Sequence, residues 1–303
     1  MAHIFITGGA GFIGSHTVDR ALADGHSVTV YDIKTWEEAE NLHHLEGLIT
    51  YVSGDILDYE LLTKSLAGHT HALHLAAIVS VQETIANPRS SHEVNVTGTL
   101  NVFEATRSQG VERVVYASSA AVYGASDAVI SEATVCSPLS PYGLHKYMND
   151  EYAVLYTKLY GQSLLGLRYF NVYGTRQKAD SPYSGVISLF TTRARAGEGV
   201  CIYGDGSASR DFVSVSDVAR ANFLALMSSA TGVCNIGSGQ ETTLNQLVES
   251  LEEVVGRPIK REYKESRMGD IVRSVTTTDC AKSLIGFQAT VSLMDGLKEL
   301  VRI

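Results

Sequence analysis

Three glycines at three-residue spacing, Gly8, Gly11 and Gly14, follow the apolar stretch Ile4-Phe5-Ile6 and open an amphipathic segment from Phe12 to Ala23. No other feature constrains the fold as much. A strand that turns on glycines into a helix is the first half of a βαβ unit, and such a unit requires a parallel sheet. The same junction is an anion site, because free backbone N–H groups and the positive end of the helix dipole converge there. Glycine permits the sharp turn and lets a pyrophosphate approach the backbone closely. The plainer alternative is a buried βαβ turn that binds nothing. The strand–turn–helix context favours the binding reading.

A second strand, Ser27-Val28-Thr29-Val30-Tyr31, ends at Asp32, eighteen residues beyond Gly14. A carboxylate there accepts the hydroxyls of an adenosine ribose and repels a 2′-phosphate. Ile33 and Lys34 follow, with no arginine nearby. The expected cofactor is NAD rather than NADP.

Strand and helix patterns alternate through the first 170 residues. Strands are predicted at 3–7, 27–32, 49–53, 71–76, 112–118 and 163–169, and helices at 12–24, 57–67, 91–109 and 141–160. This alternation predicts an α/β fold, a doubly wound parallel (Rossmann) sheet covered on both faces. Right-handed crossovers place every strand's C-terminal end on one edge, where ligands bind. After Asn171 the pattern becomes irregular. A helix is expected at 185–196, a strand at 200–203, a strand and helix within 211–227, a capped helix at 242–255 and a strand at 258–263. Residues 1–170 read as an NAD-binding domain to which 208–231 returns, and 171–303 as a smaller mixed α/β substrate-binding domain that forms a cleft with it.

Composition excludes several roles. A net charge of −9 argues against non-specific nucleic-acid binding and against anionic membrane surfaces. The N-terminus lacks a basic region followed by a long apolar run, so no secretory signal is expected. Apolar runs such as Leu75–Val79 and Ala221–Met227 are too short to span a bilayer. Four scattered cysteines, at 136, 201, 234 and 280, fit a reducing cytoplasm and no disulfide framework. His69, His71 and His74 crowd one strand, but only the first two share a face and neither has a carboxylate partner in sequence. No metal site is expected there. Trp36, in an acidic stretch, reads as cover for a loop rather than a binding element.

The chemistry centres on Tyr142-Gly143-Leu144-His145-Lys146. Four-residue spacing puts the phenol and the amine on one helix face. A phenol with a pKa near 10 is a poor base at neutral pH, and bringing it into range takes roughly 4–5 kcal/mol. An ammonium one turn away, together with an oxidised nicotinamide, can supply that. The pair opens the helix that follows the fifth strand, and that strand ends at Ser118-Ser119. A serine there can hydrogen-bond the same substrate hydroxyl.

With these residues in place, the chain resembles the extended short-chain dehydrogenase/reductases, and among them the NAD-dependent nucleotide-sugar epimerases. The similarity covers essentially the whole length. It rests on the Gly8–Gly14 turn, Gly54-Asp55-Ile56, His74-Leu75-Ala76-Ala77, Asn95-Val96-Thr97-Gly98, Ser119, Tyr142 with Lys146, Leu167-Arg168-Tyr169-Phe170-Asn171, and Gly204-Asp205-Gly206 followed by Arg210-Asp211-Phe212. The resemblance implies that Tyr142 is the base, that Lys146 anchors the nicotinamide ribose and that Ser119 steers the hydroxyl. It places Gly8, Gly11, Phe12, Ile13, Gly14, Asp32, Asp55, Ile56, Leu75, Ala76, Ala77, Asn95 and Phe170 around NAD, with Asp55 and Ile56 beside the adenine. For a UDP-sugar substrate it implies diphosphate contacts from Asn171, Arg210 and Arg267, a ribose contact from Asp270, and Tyr203 beside the uracil. Ser274 matches a gate position, where a small residue admits N-acetyl groups as well as plain hexoses. A homodimer pairing the helices at 91–109 and 141–160 is also implied.

Departures from the family narrow the reaction. Dehydratases and decarboxylases of the group carry an acid within two positions of the serine; here those positions are Ala120 and Ala121. Some relatives place a lysine near the nicotinamide where this chain has Val79. The expected activity is inversion at C4 of a UDP-hexose, UDP-glucose/UDP-galactose or the N-acetylated pair, through a transient 4-keto sugar. A decarboxylase, dehydratase or reductase on a nucleotide sugar, and a non-catalytic NAD-binding regulator, remain as alternatives.

Overall fold

The computed structural model describes residues 1–178, 185–266 and 271–302. Its first part runs β1 (His3–Thr7), α1 (Phe12–Ala23), β2 (Ser27–Asp32), β3 (Thr50–Ser53), α2 (Tyr59–Ser65), β4 (His71–His74), α3 (Val81–Ala86), α4 (Pro88–His92), α5 (Gly98–Ser108), β5 (Arg113–Ser119), α6 (Pro141–Tyr160) and β6 (Leu164–Tyr169). There follow β7 (Asn171–Tyr173), α7 (Val186–Ala196), β8 (Val200–Tyr203), β9 (Ser209–Ser214), α8 (Val215–Leu226), β10 (Gly232–Ile236), β11 (Glu241–Thr243), α9 (Leu244–Val255), β12 (Arg261–Lys264), β13 (Arg273–Ser274), α10 (Asp279–Ile285) and α11 (Leu293–Arg302). Seven strands form one parallel sheet in the order β10-β6-β5-β4-β1-β2-β3.

The central strands are apolar on both faces because both faces are covered. On one side Ile4, Ile6, Val30, Leu73 and Val115 pack with Val18 of α1 and Val218 of α8. On the other, Phe5, Tyr31, Ala72, Val114 and Tyr116 pack with Val102 and Phe103 of α5. A third cluster joins Phe190, Ile202, Phe212, Leu247, Leu251 and Leu297 in the later part of the chain. Trp36 lies edge-on to Tyr51, with ring centroids 5.3 Å apart, as cover over the first cluster. No helix among the described residues is long and apolar enough to cross a membrane.

Local signals explain the element most important for the site. Ser140 caps α6 through the Gly143 N–H, Pro141 occupies its first turn, and Gly161 ends it with φ +68°. Elsewhere tertiary packing overrides the local pattern. The helix expected over 91–109 is interrupted: α4 ends at His92, Glu93–Thr97 form a π-turn, and α5 begins at Gly98. The wider turn brings Gly98 against Ile56, whose Cδ1 would lie 2.5 Å from a Cβ at residue 98. It also turns Asn95 inward, a frequent use of π-bulges at functional sites. Four short strands, β7, β10, β11 and β13, were not evident from the sequence. β10 adds a seventh strand outside β6, with Cys234 opposite Leu167, and β13 joins β7, β9 and β11 in a small mixed sheet.

Candidate active site

At the C-terminal edge of the parallel strands lies a cavity of about 730 Å³. That volume suits a small-molecule cofactor. Its floor is the glycine turn. Gly8 sits at φ +71°, and a Cβ there would lie 2.6 Å from the Ala76 nitrogen. A Cβ at Gly14 would lie 2.3 Å from the Gly8 carbonyl oxygen. Only glycine fits either position. Gly11 occupies the N-cap of α1 without a side-chain cap, so the first-turn N–H groups point at the cavity without a protein acceptor of that kind. The carboxylate of Asp32 closes the turn from β2: Oδ2 accepts the Ala10 N–H at 3.0 Å and Oδ1 the Lys34 N–H at 3.2 Å.

Of the cofactor residues expected from the sequence, Gly8, Gly11, Phe12, Ile13, Gly14, Asp32, Asp55, Ile56, Leu75, Ala76, Ala77, Tyr142, Lys146 and Phe170 line this cavity. Asn95 stands behind the wall and shapes it. Its side chain accepts the Ile78 N–H at 2.8 Å and donates to the Ile78 carbonyl at 2.9 Å. Val79, 67% exposed, lies at the rim. Gln177 and Ser118 also line the cavity. Nothing in the sequence pointed to Gln177, which lies in an irregular stretch.

Tyr142 and Lys146 face the cavity from the first turns of α6. The lysine Nζ lies 5.9 Å from the centroid of the Tyr142 ring and donates to the Ala117 carbonyl at 2.8 Å. Burial pushes the Tyr142 phenol up, and a hydrogen bond with Ser119 opposes this. Burial pushes Lys146 down to about 8, against the pull of Asp150. Ser119 also accepts the Ala121 N–H at 3.1 Å, which fixes its hydroxyl beside the phenol.

Three of the expected substrate residues, Asn171, Arg210 and Ser274, lie on the small sheet. β9 carries Arg210, flanked in register by Thr242 of β11 and Ser274 of β13. Asn171 of β7 pairs with Phe212, and its side chain donates to the Asp211 carbonyl at 3.3 Å. Ser274 is 8% exposed. Tyr203 ends β8, opposite Lys264 of β12. Arg267 and Asp270 lie outside the described residues. The three strand histidines are engaged by threonines: His69 with Thr29 at 2.8 Å, His71 with Thr70 at 2.7 Å, and His74 with Thr7 and Thr99 at 2.7 and 3.0 Å.

A doubly wound parallel sheet whose glycine turn shares one cavity with a tyrosine–lysine pair defines a dinucleotide-dependent enzyme fold. The profile of the NAD dependent epimerase/dehydratase family matches residues 4–237. The chain belongs to that family, and its cofactor is NAD. It is 38% identical over 303 residues to UDP-glucose 4-epimerase of Mycolicibacterium smegmatis, covering 98% of this chain and 96% of the relative. It is 33% identical over 314 residues to UDP-N-acetyl-alpha-D-glucosaminuronate decarboxylase of Bacillus cytotoxicus, covering 98% and 96%. Among solved structures, UDP-glucose 4-epimerase of Thermotoga maritima with UDP-glucose superposes with a TM-score of 0.93 at 37% identity, covering 99% and 97%. UDP-N-acetylglucosamine 4-epimerase of Methanobrevibacter ruminantium M1, in complex with UDP-N-acetylmuramic acid, gives 0.94 at 34% identity, also covering 99% and 97%.

Proposed function

We propose that this enzyme inverts C4 of a UDP-hexose through a 4-keto sugar. The observation that carries the reading is the Tyr142–Lys146 pair, with the lysine Nζ 5.9 Å from the phenol ring centroid, in the wall of the glycine-floored cavity. NAD, when bound, supplies a reversible hydride acceptor. Tyr142, as phenolate, would take the proton of the sugar 4-hydroxyl and, once the keto sugar has turned over, return it. Ser119 would share that hydroxyl's hydrogen bond, and Lys146, whose charge favours the phenolate, would hold the nicotinamide ribose.

Such a reaction needs a firm grip on the nucleotide and a loose one on the hexose, so that the remote part supplies binding energy. The cluster of Asn171, Arg210 and Ser274 supports that division, with Arg210 suited to the diphosphate. A decarboxylase or dehydratase is disfavoured because Ala120 and Ala121 offer no acid next to Ser119, and a tyrosine–lysine pair in the cavity wall is more than a passive regulator requires. A reductase drawing on NADPH is disfavoured by Asp32.

A cytoplasmic homodimer completes the reading. On α6, Leu144, Leu155 and Leu159 are 47%, 48% and 68% exposed at helical spacing, an apolar stripe suited to a second copy. Incubating the purified protein with UDP-glucose and with UDP-N-acetylglucosamine, then resolving products by anion exchange, tests the reaction. Appearance of the C4 epimer is expected. A decarboxylated or dehydrated product, or no conversion of any UDP-sugar, overturns it.

A further inference from the structure

Behind Tyr142 and Lys146, α6 carries a buried carboxylate that the reaction has not used. Asp150 lies one turn beyond Lys146 on the same helix and is 2% exposed. Its Oδ2 accepts from Arg168 Nε at 2.9 Å and from Ser118 Oγ at 3.1 Å, and its Oδ1 from the Tyr116 hydroxyl at 3.1 Å. Lys146 is held by the adjacent β5 residue, through the Ala117 carbonyl. Successive positions on one strand therefore fix the ammonium and the carboxylate on the same side of α6. Arg168, 5% exposed, is itself anchored, donating through NH1 to the Tyr123 hydroxyl at 2.8 Å.

We propose that Asp150, held ionised by Arg168, is a positioning residue that keeps the Lys146 ammonium charged within the cofactor cavity. The inference rests on the assignment of Lys146 to the reacting site. An ammonium out of water loses its proton readily unless a counter-charge stands nearby. Burial drives Lys146 down, and Asp150 is the group that opposes it. Burial leaves the Asp150 carboxyl above its ordinary value on balance, and Arg168 foremost, then Ser118 and Tyr116, work against that rise in favour of the ionised form. The other titratable groups facing Lys146 are Tyr142 and His145 on α6 and His74 from β4. Burial drives both histidines toward their neutral forms. Tyr123, Cys136, Tyr147 and Glu151 lie toward the Arg168 end of the pair.

The test uses the NAD-loaded protein with lysine labelled at Cε with ¹³C, followed by NMR against pH. The Lys146 resonance is assigned by its loss in Lys146→Arg. In Asp150→Asn the Lys146 titration midpoint should fall by about one pH unit or more, and Asp150→Glu should restore most of it. The alkaline limb of turnover should move with the midpoint. If Asp150→Asn does not fold, the double variant Asp150→Asn/Arg168→Met removes the arginine charge that the single variant leaves unpaired and must shift the midpoint in the same direction. An unmoved Lys146 midpoint in a folded variant overturns the proposal, whatever happens to turnover. Conversion of UDP-sugars by the wild type tests the reaction separately, so the two readings fail independently.

Discussion

The carboxylate of Asp32 accepts the N–H of Ala10 at 3.0 Å, tying the end of the second strand to the glycine turn that opens the first helix. One acid thus shapes the glycine turn and lines the cavity, where a ribose contact is proposed for it. Charge-assisted hydrogen bonds contribute about 1.5–3 kcal/mol each. Asp32→Ala should weaken NAD binding by about tenfold to a hundredfold, and NADP should lose much less. Titration of protein stripped of cofactor, followed by fluorescence, measures both affinities. An unchanged NAD-to-NADP ratio would remove the acid from cofactor choice.

Tyr142→Phe keeps the ring in the cavity wall and deletes only the hydroxyl. Loss of a positioned proton acceptor costs about 10²–10⁴ in rate. Turnover of the UDP-sugar should fall by that factor, while extraction of the purified variant still releases NAD. Near-normal turnover would falsify the assignment of the base.

His74 is buried between Thr7 and Thr99, and desolvation pushes its imidazole down to about 3. Between that value and about 6.5 the unfolded chain binds a proton that the folded chain refuses, so stability falls as pH falls through this window. One such group contributes a slope of at most about 1.4 kcal/mol per pH unit. His74→Gln should flatten the loss of denaturation free energy between pH 6 and 4, relative to wild type, as read by urea titrations at each pH. Parallel wild-type and variant curves would show that His74 does not titrate as described.

Ser274 lies beside Arg210 across the small sheet and is almost fully buried. If position 274 borders the hexose, as the family resemblance implies, a tyrosine there fills volume that a 2-acetamido group needs. Ser274→Tyr should depress kcat/KM for UDP-N-acetylglucosamine far more than for UDP-glucose, measured side by side on one preparation. Equal losses on both substrates would place the residue away from the sugar.

The sequence by itself determined the cofactor half of the protein. Gly8, Gly11 and Gly14, the acid at Asp32, and the Ser140, Pro141 and Gly161 signals around the catalytic helix are local, and each works through the conformation of a few neighbouring residues. What depends on distant packing was decided only in three dimensions. The π-turn at Glu93–Thr97 exists because Asn95 meets Ile78 and Gly98 meets Ile56. β10 finds its place by pairing with β6, and Ser274 reaches Arg210 through a two-residue strand too short to show a periodicity. No sequence motif singled out Asp150, four residues after Lys146. Its company of Arg168, Ser118 and Tyr116 arises where two strands, β5 and β6, meet one helix, and no local pattern encodes that convergence.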